Sequence, residues 1–368
     1  MKSLYKIALV LFLIPTIASA VPGKGKYTKS KKLSKNYAVS KSGTVKINNS
    51  FGNVTITTWD QPQVTFEVNV EVSGDNEERV NDRLRKIDVR FSSSNDFVEA
   101  NTQTDGYQDN DNGWSFWDLF KSGNNSSNNG NLKIDYIVKM PVTAKLDITN
   151  DYGAIILDRL EGRAEISCDF GRLDIGQLMA TNNEIKFDYT KSSNIDYMKS
   201  GVIKADFSDF DLYGCEELDF RGDYSKARLH KTKMLKFNSD FSTVESDESE
   251  IIDGRGDYST IRLGTIIQKA DLNTDFGTIK VKEIGPDFKS LEIRSDYTGI
   301  DLNYHPMAKF NFDADLSFAN IKLSQDAEVT RSEKDTTNKR VSGYVGANDT
   351  GSMITIKSEF GNVSLKSN

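Results

Sequence analysis

The chain has 368 residues, with 47 basic and 54 acidic side chains, a formal charge of −7 and 37% hydrophobic residues. That acidic balance argues against nucleic acid or anionic lipid as the main partner, and two cysteines in a chain this long exclude a disulfide scaffold. Beyond the leader, no stretch reaches the roughly 18 consecutive apolar residues that a membrane span needs, so none is expected.

Residues 1–20 read as a secretory signal peptide: Lys2 and Lys6, an apolar run from Ile7 to Ile17, then Ala18, Ser19 and Ala20 as a small-residue cleavage site. Cleavage removes two lysines and no acid, which leaves 45 basic against 54 acidic residues and a charge of −9. The expected location is the periplasm, the outer surface or the medium. Residues 21–41 carry Lys24, Lys26, Lys29, Lys31, Lys32, Lys35 and Lys41 and read as a solvated basic linker.

Residues 42–140 read as a smaller N-terminal β module. It opens on Ser50-Phe51-Gly52-Asn53-Val54-Thr55-Ile56 and continues with Val64, Phe66, Val68, Val70 and Val72 on one face of a long alternating strand. Val80, Leu84 and Ile87 stand at helical spacing and predict one short helix. The module contains a low-complexity insertion at 101–131, rich in Asn, Ser, Gly and Asp, with Trp114, Phe116, Trp117, Leu119 and Phe120 embedded. A loop of that length is commonly functional or disordered. Two readings stay open: Trp114, Phe116, Trp117 and Phe120 grip a glycan or a protein surface, or they dock on their own module.

Residues 141–325 carry a repeat. An Asp, an aromatic, a small residue and two apolar residues three and five places after the aromatic recur around Tyr152, Phe170, Tyr189, Phe207, Tyr224, Phe241, Tyr258, Phe276 and Tyr297. Successive aromatics lie 17 to 21 residues apart, the signature of a solenoid whose coils cannot bury their apolar faces alone. Ile203, Phe220, Phe237, Leu272 and Ile293 mark a second apolar column four places before the aromatic. The two columns are out of parity, so a corner separates them, and the Gly, Ser or Thr after each aromatic is the expected corner residue. The fold class is therefore all-β, a parallel β-solenoid with its aromatics expected as an internal ladder. Phe and Tyr alternate along it without a firm account in the sequence; one reading is that successive coils differ slightly in shape, so that every second ring brings its hydroxyl to a polar partner. The Tyr189 copy, with Ser192 and Asn194 at apolar positions, and the Phe241 copy, with Ser246, read as irregular coils. Residues 326–350 read as a polar loop. Residues 351–368 repeat the opening motif as Ser358-Glu359-Phe360-Gly361-Asn362-Val363-Ser364-Leu365 and are expected to cap the open end of the stack.

Motifs that would carry chemistry are mostly lacking. The Asp column at 151, 169, 188, 206, 223, 240, 257, 275, 296 and 315 lacks the glycine-rich pattern of calcium solenoids and reads as corner residues accepting backbone N–H groups. Arg221-Gly222-Asp223 and Arg255-Gly256-Asp257 spell a receptor-binding tripeptide, yet both fall at one repeat position where the corner accounts for Gly and Asp. Cys168 and Cys215 sit two to three coils apart and are expected as free thiols, Cys168 pointing inward. His230 and His305 have no nucleophile nearby in the sequence, and there is no metal spacing, phosphate loop or dinucleotide fingerprint. No cofactor and no enzymatic activity are expected.

The signal peptide, the Ser50 to Ile56 strand, the Val-rich strand and helix from Val64 to Ile87, and the repeated coils together resemble the bacterial putative-adhesin β-solenoid family, the "head GIN" type of envelope protein. The resemblance implies an exported solenoid with an adhesive or binding role and brings no functional residue with it. Two other readings remain beside it: a periplasmic stress sensor or scaffold, and a polysaccharide-acting β-helix enzyme.

Overall fold

The computed structural model describes residues 25–104 and 131–368, which form two compact units: residues up to Gly162 with Ile166–Gly171, and Arg163–Glu165 with Arg172–Asn368. The signal segment and the aromatic cluster Trp114, Phe116, Trp117 and Phe120 lie outside the described residues.

In the second unit each regular coil is about 17 residues long. The strands Asp209–Arg221, Lys226–Asn238 and Thr243–Arg255 pair in parallel with a register offset of 17. Each strand breaks its inward alternation twice, on either side of Cys215, Thr232 and Ser249, so a coil has one arm after the aromatic corner, a middle inward position and a second arm before the next corner. The inward positions are the predicted ones: Phe210 and Leu212, Ala227 and Leu229, Ile261 and Leu263 after the corner, and Ile203, Phe220, Phe237 and Leu272 before it, are all buried. Residue 254 interrupts the upstream column because a Cβ on Gly254 would stand 2.3 Å from the ring of Phe237. The coil that follows Tyr189 holds one extra residue. Ser192 takes a positive φ, after which Ser193 pairs with Phe210 and Ile195 with Leu212, so the apolar column resumes one place late. Ser246 is accommodated by a buried hydroxyl cluster, 2.7 Å from Ser249, which lies 2.6 Å from Thr232.

The aromatic ladder is not internal. Tyr152, Phe170, Tyr189, Phe207, Tyr224, Phe241, Tyr258, Phe276 and Tyr297 are between 39% and 54% exposed. The residue that breaks parity is the aromatic itself, with φ near +50° to +57° at each of these positions. A strand continuing from the buried residue two places upstream would aim the ring inward, and one left-handed residue turns it out. The small residue that follows serves close packing: a Cβ on Gly277 would stand 2.3 Å from the Ser259 carbonyl oxygen.

The last segment does not cap the stack. Strand Met353–Glu359 pairs in parallel with Ser290–Asp296 on one side and Phe310–Ser317 on the other, and Val363–Ser367 lies between Gly299–Tyr304 and Ile321–Leu323. The stack ends instead in part of the expected polar loop. Strands Ala327–Lys334 and Asn338–Val345 form an antiparallel hairpin laid on Phe310–Ser317. Its outer strand is exposed and carries Glu328, Arg331, Glu333 and Lys334, charges that discourage further strand addition.

The first unit threads its first coil copy in the same way. Strand Thr44–Ser50 lies between Phe97–Thr104 and Lys145–Asp151, and Val54–Trp59 between Asn131–Pro141 and Ala154–Leu160, all parallel. A buried amide pair stitches the layers: Asn49 Nδ2 donates to Asn150 Oδ1 at 2.9 Å and to the Ile134 carbonyl at 3.0 Å. The expected linker is an edge strand. Tyr27–Ala38 pairs antiparallel along the whole of the Val-rich strand Gln63–Gly74. Its lysines border the unit's outer edge, where Lys29 meets Glu77 at 2.8 Å. The predicted helix spans Glu77–Lys86, capped by Asn76, whose side chain accepts from the Arg79 N–H, and anchored by buried Val80.

If residues 351–368 are an interior layer, the amides of Ile354 and Ile356 exchange with deuterium as slowly as those of Leu229 in the middle of the stack. An end strand would fray and exchange orders of magnitude faster, which would contradict this placement.

Candidate functional site

The corner column is the most regular surface of the protein, and its regularity begins with backbone groups that leave the strand ladder and need other partners. In the regular coils three repeating bonds supply them. The aromatic N–H donates to the carbonyl of the next coil's Asp, as from Phe207 to Asp223 at 3.0 Å and Phe241 to Asp257 at 2.9 Å. That Asp's own N–H donates back to the preceding Asp carboxylate: Asp223 to Asp206 at 2.9 Å, Asp240 to Asp223 at 3.0 Å, Asp257 to Asp240 at 2.8 Å. The buried serine after the ring completes the set, with Ser208, Ser225 and Ser242 each donating their N–H to the next serine hydroxyl at 3.0 to 3.1 Å. The carboxylates do accept backbone N–H groups, but those of the neighbouring coil and not of their own turn. Asp315 is outside this column, since Ser317 directly precedes the ring of Phe318.

On this frame the rings stack. In the second unit nine of them, Tyr189, Phe207, Tyr224, Phe241, Tyr258, Phe276, Tyr297, Phe360 and Phe318, follow one another at 4.6 to 5.0 Å with planes within 6° of parallel. Eight such steps give a row with a contour of about 40 Å. The first unit has its own run, Phe51, Tyr152 and Phe170, at 5.1 Å. Phe360 joins the row ahead of Phe318 because its coil is threaded inward. The periodicity missed both rings, although the Ser358 to Leu365 match to the Phe51 copy was the available signal. Within the first unit, burial and the neighbouring Asp169 carboxylate raise the Asp151 carboxyl above the usual carboxylate range.

Beside the corner, the outer strand face is laced by ion pairs between coils. Arg228 holds Asp211 through two bonds of 2.6 Å, and Arg262 and Lys226 both reach Glu245. His230 lies flat on Tyr213 at 4.6 Å, with Nδ1 2.7 Å from Asp247. The arrangement is a surface of ion pairs between coils with one stacked His–Tyr pair. A shallow trough of about 490 Å³ crosses the other arm, lined by Glu184, Ser200, Glu217, Met234 and Ile251 among others.

The remaining sequence candidates have structural roles. Gly222 and Gly256 are forced by close approach, because an added Cβ would stand 1.9 Å from the Ala205 oxygen and 2.1 Å from the Ser239 oxygen. Asp223 and Asp257 belong to the corner column, and Arg221 pairs with Asp219 at 2.6 Å. Cys168 and Cys215 are buried and not joined in a disulfide, and burial pushes the Cys215 thiol up to about 12. Among the described residues no group of three or more His, Cys, Asp or Glu is placed to hold a metal ion, and no helix is long and apolar enough to cross a membrane.

No family model matches the sequence, and none of the curated proteins does. Solved structures similar to the chain include a putative cell adhesion protein from Clostridium sporogenes, at 10% identity over 92% of this chain and 100% of that one, TM-score 0.17. A putative adhesin from Bacteroides fragilis is similar at 9% identity over 92% and 97%, TM-score 0.24. At such scores neither superposition establishes a shared arrangement, and the head GIN resemblance rests on the residue pattern.

The ion pairs set an acid limit. Hydrogen bonds from Arg228, Arg340 and Lys204 hold the carboxyls of Asp211, Asp313 and Glu184 below the usual carboxylate range. A depressed folded-state pKa contributes stability that is present above the unfolded value of about 4 and is lost as pH falls through the folded one. Stability of the second unit is therefore expected to be level from neutral pH down to about 5 and to decline below about 4. In Arg228→Gln, the Asp211 carboxyl followed by carbon NMR should titrate closer to the ordinary value; an unchanged titration would contradict the assignment.

Proposed function

We propose that the protein is a non-enzymatic binding protein of the cell envelope or the secreted fraction, adhesin-like in role, and that the stacked ring row of the second unit is its contact surface. The observation that carries this reading is the exposure of that row. Its seven rings from Tyr189 to Tyr297 are 46% to 54% exposed although the core beneath them is complete. A left-handed corner is met most cheaply by Gly or Asn, whereas a bulky side chain there costs about 1–2 kcal/mol. Stacking returns about 0.5–1.5 kcal/mol per pair beyond area burial. The two terms roughly offset each other, so the corner conformation gives no reason of its own to prefer rings, while a long exposed apolar row is the mark of an interaction site. Export by the leader and the head GIN resemblance support the same reading from the sequence.

The test is a binding screen of the mature protein against glycans, peptidoglycan and extracellular-matrix proteins. Two variants run beside it: Phe207→Ser with Phe241→Ser and Phe276→Ser, and a deletion of 105–130, which spares the strands Phe97–Thr104 and Asn131–Pro141. Capture is expected to fall at least about tenfold in the triple variant, as when interface aromatics are truncated, and to survive the deletion. Capture that survives the triple variant and is lost on deletion would transfer the site to Trp114, Phe116, Trp117 and Phe120. Whole-cell protease shaving gives the location: an adhesin is cleaved from intact cells, a periplasmic sensor is not.

A further inference from the structure

The ring row carries a second period that the fold does not use. Tyr189, Tyr224, Tyr258 and Tyr297 alternate strictly with Phe207, Phe241 and Phe276. The expectation that each tyrosine takes its hydroxyl to a protein partner fails: among the described residues the hydroxyls of Tyr224, Tyr258 and Tyr297 make no hydrogen bond. Tyr224, Tyr258 and Tyr297 are 52% to 54% exposed and the three interleaved phenylalanines 46% to 49%, as follows if the extra oxygen stands in solvent. Phe and Tyr stack alike, with spacings of 4.9 to 5.0 Å throughout this run, so neither packing nor hydrogen bonding inside the protein asks for alternation.

What alternation creates is a one-dimensional array of hydroxyls at twice the coil rise, about 10 Å, separated by bare ring edges. Alongside it runs the carboxylate column. In Asp206, Asp223, Asp240, Asp257 and Asp275 one oxygen receives the next coil's N–H, while the other accepts nothing among the described residues. The surface thus offers, every 10 Å or so, a donor-acceptor hydroxyl, with apolar ring between and spare acceptors to one side. A linear ligand that matches it must be extended, carry many hydroxyls with intervening C–H faces, and repeat at nearly this distance. An extended peptide strand repeats at about 6.8 Å per two residues and falls out of step. A β-1,4-linked polysaccharide, whose alternate sugars flip so that two residues make one repeat, has close to the required length and the required mixture of hydroxyl and C–H surface.

We propose that the tyrosine rungs read the two-residue repeat of an extended β-1,4-linked glycan, the rings covering its C–H faces and the free Asp oxygens accepting its hydroxyls. This rests on the ring row being the contact surface and adds the class of ligand. The experiment is calorimetric titration of the mature protein with hexamers of β-1,4-linked N-acetylglucosamine and β-1,4-linked glucose, against β-1,3-linked and α-1,4-linked glucose hexamers. The partner variant carries Tyr189→Phe, Tyr224→Phe, Tyr258→Phe and Tyr297→Phe, which keeps every ring, and its melting temperature checks that the stack persists. The expected result is binding confined to the β-1,4 series and weakened by about tenfold or more in the Tyr→Phe variant, the loss of one or two net hydrogen bonds. Binding that ignores linkage, or that survives the four substitutions, overturns the proposal; if the triple Phe→Ser variant still loses that binding, the row remains the contact surface. Binding to none of the hexamers also overturns it, and the contact-surface reading is then judged on protein ligands in the screen.

Discussion

The corner at which each coil reverses its face is the constraint on which the second unit depends. A strand alternates its side chains with period two, and a coil that keeps apolar residues inside all the way round must break that alternation at its corners, of which the aromatic corner is the sharpest. There a single left-handed residue does it, and the groups it frees are satisfied between coils by Asp carboxylates, Ser hydroxyls and the aromatic N–H. Because the backbone N–H groups of the corner find their partners in the adjacent coil, the corner is itself a ladder that shares the strands' offset of 17 residues.

The surface chemistry follows from that geometry. A left-handed residue that ends an inward column must face outward, so whatever side chain occupies it is displayed once per coil in a straight row. Filling it with rings turns a backbone necessity into a periodic apolar edge, flanked by carboxylates already committed on one oxygen only. The outer strand faces are mixed in charge and paired between coils, as by Arg228 with Asp211 and Arg262 with Glu245. Such partly exposed pairs contribute little to stability, but they leave the ring row as the distinctive surface.

The period, the parallel coils and the identity of the buried columns were legible in the sequence, because they depend only on spacing and on which residues avoid water. The outward turn of the rings was not, since a hydrophobic pattern carries no sign of φ and an aromatic is an uncommon choice for the left-handed region. The inner placement of Met353–Glu359 and Thr44–Ser50 was equally hidden: both match the coil motif, yet which coils they join is set by pairing across the chain, not by order along it. Tyr27–Ala38 was masked by its lysines, although Lys29, Lys31, Leu33 and Lys35 alternate as an edge strand should. The hairpin ending the stack was hidden likewise by charge, with Val341, Gly343 and Val345 its only buried positions.

The central claim, that the rings are an external row on a left-handed corner, is tested most directly by comparing two phenylalanines of one region, the exposed Phe241 and the fully buried Phe237. Equilibrium denaturation of Phe241→Asn and Phe237→Ala reads the difference. The account predicts a loss of about 1 kcal/mol or less at 241, where Asn accepts the backbone and only stacking is forfeited, and about 3–5 kcal/mol at 237, where a cavity is left. A core-sized loss at 241 would contradict it and return the rings to the interior.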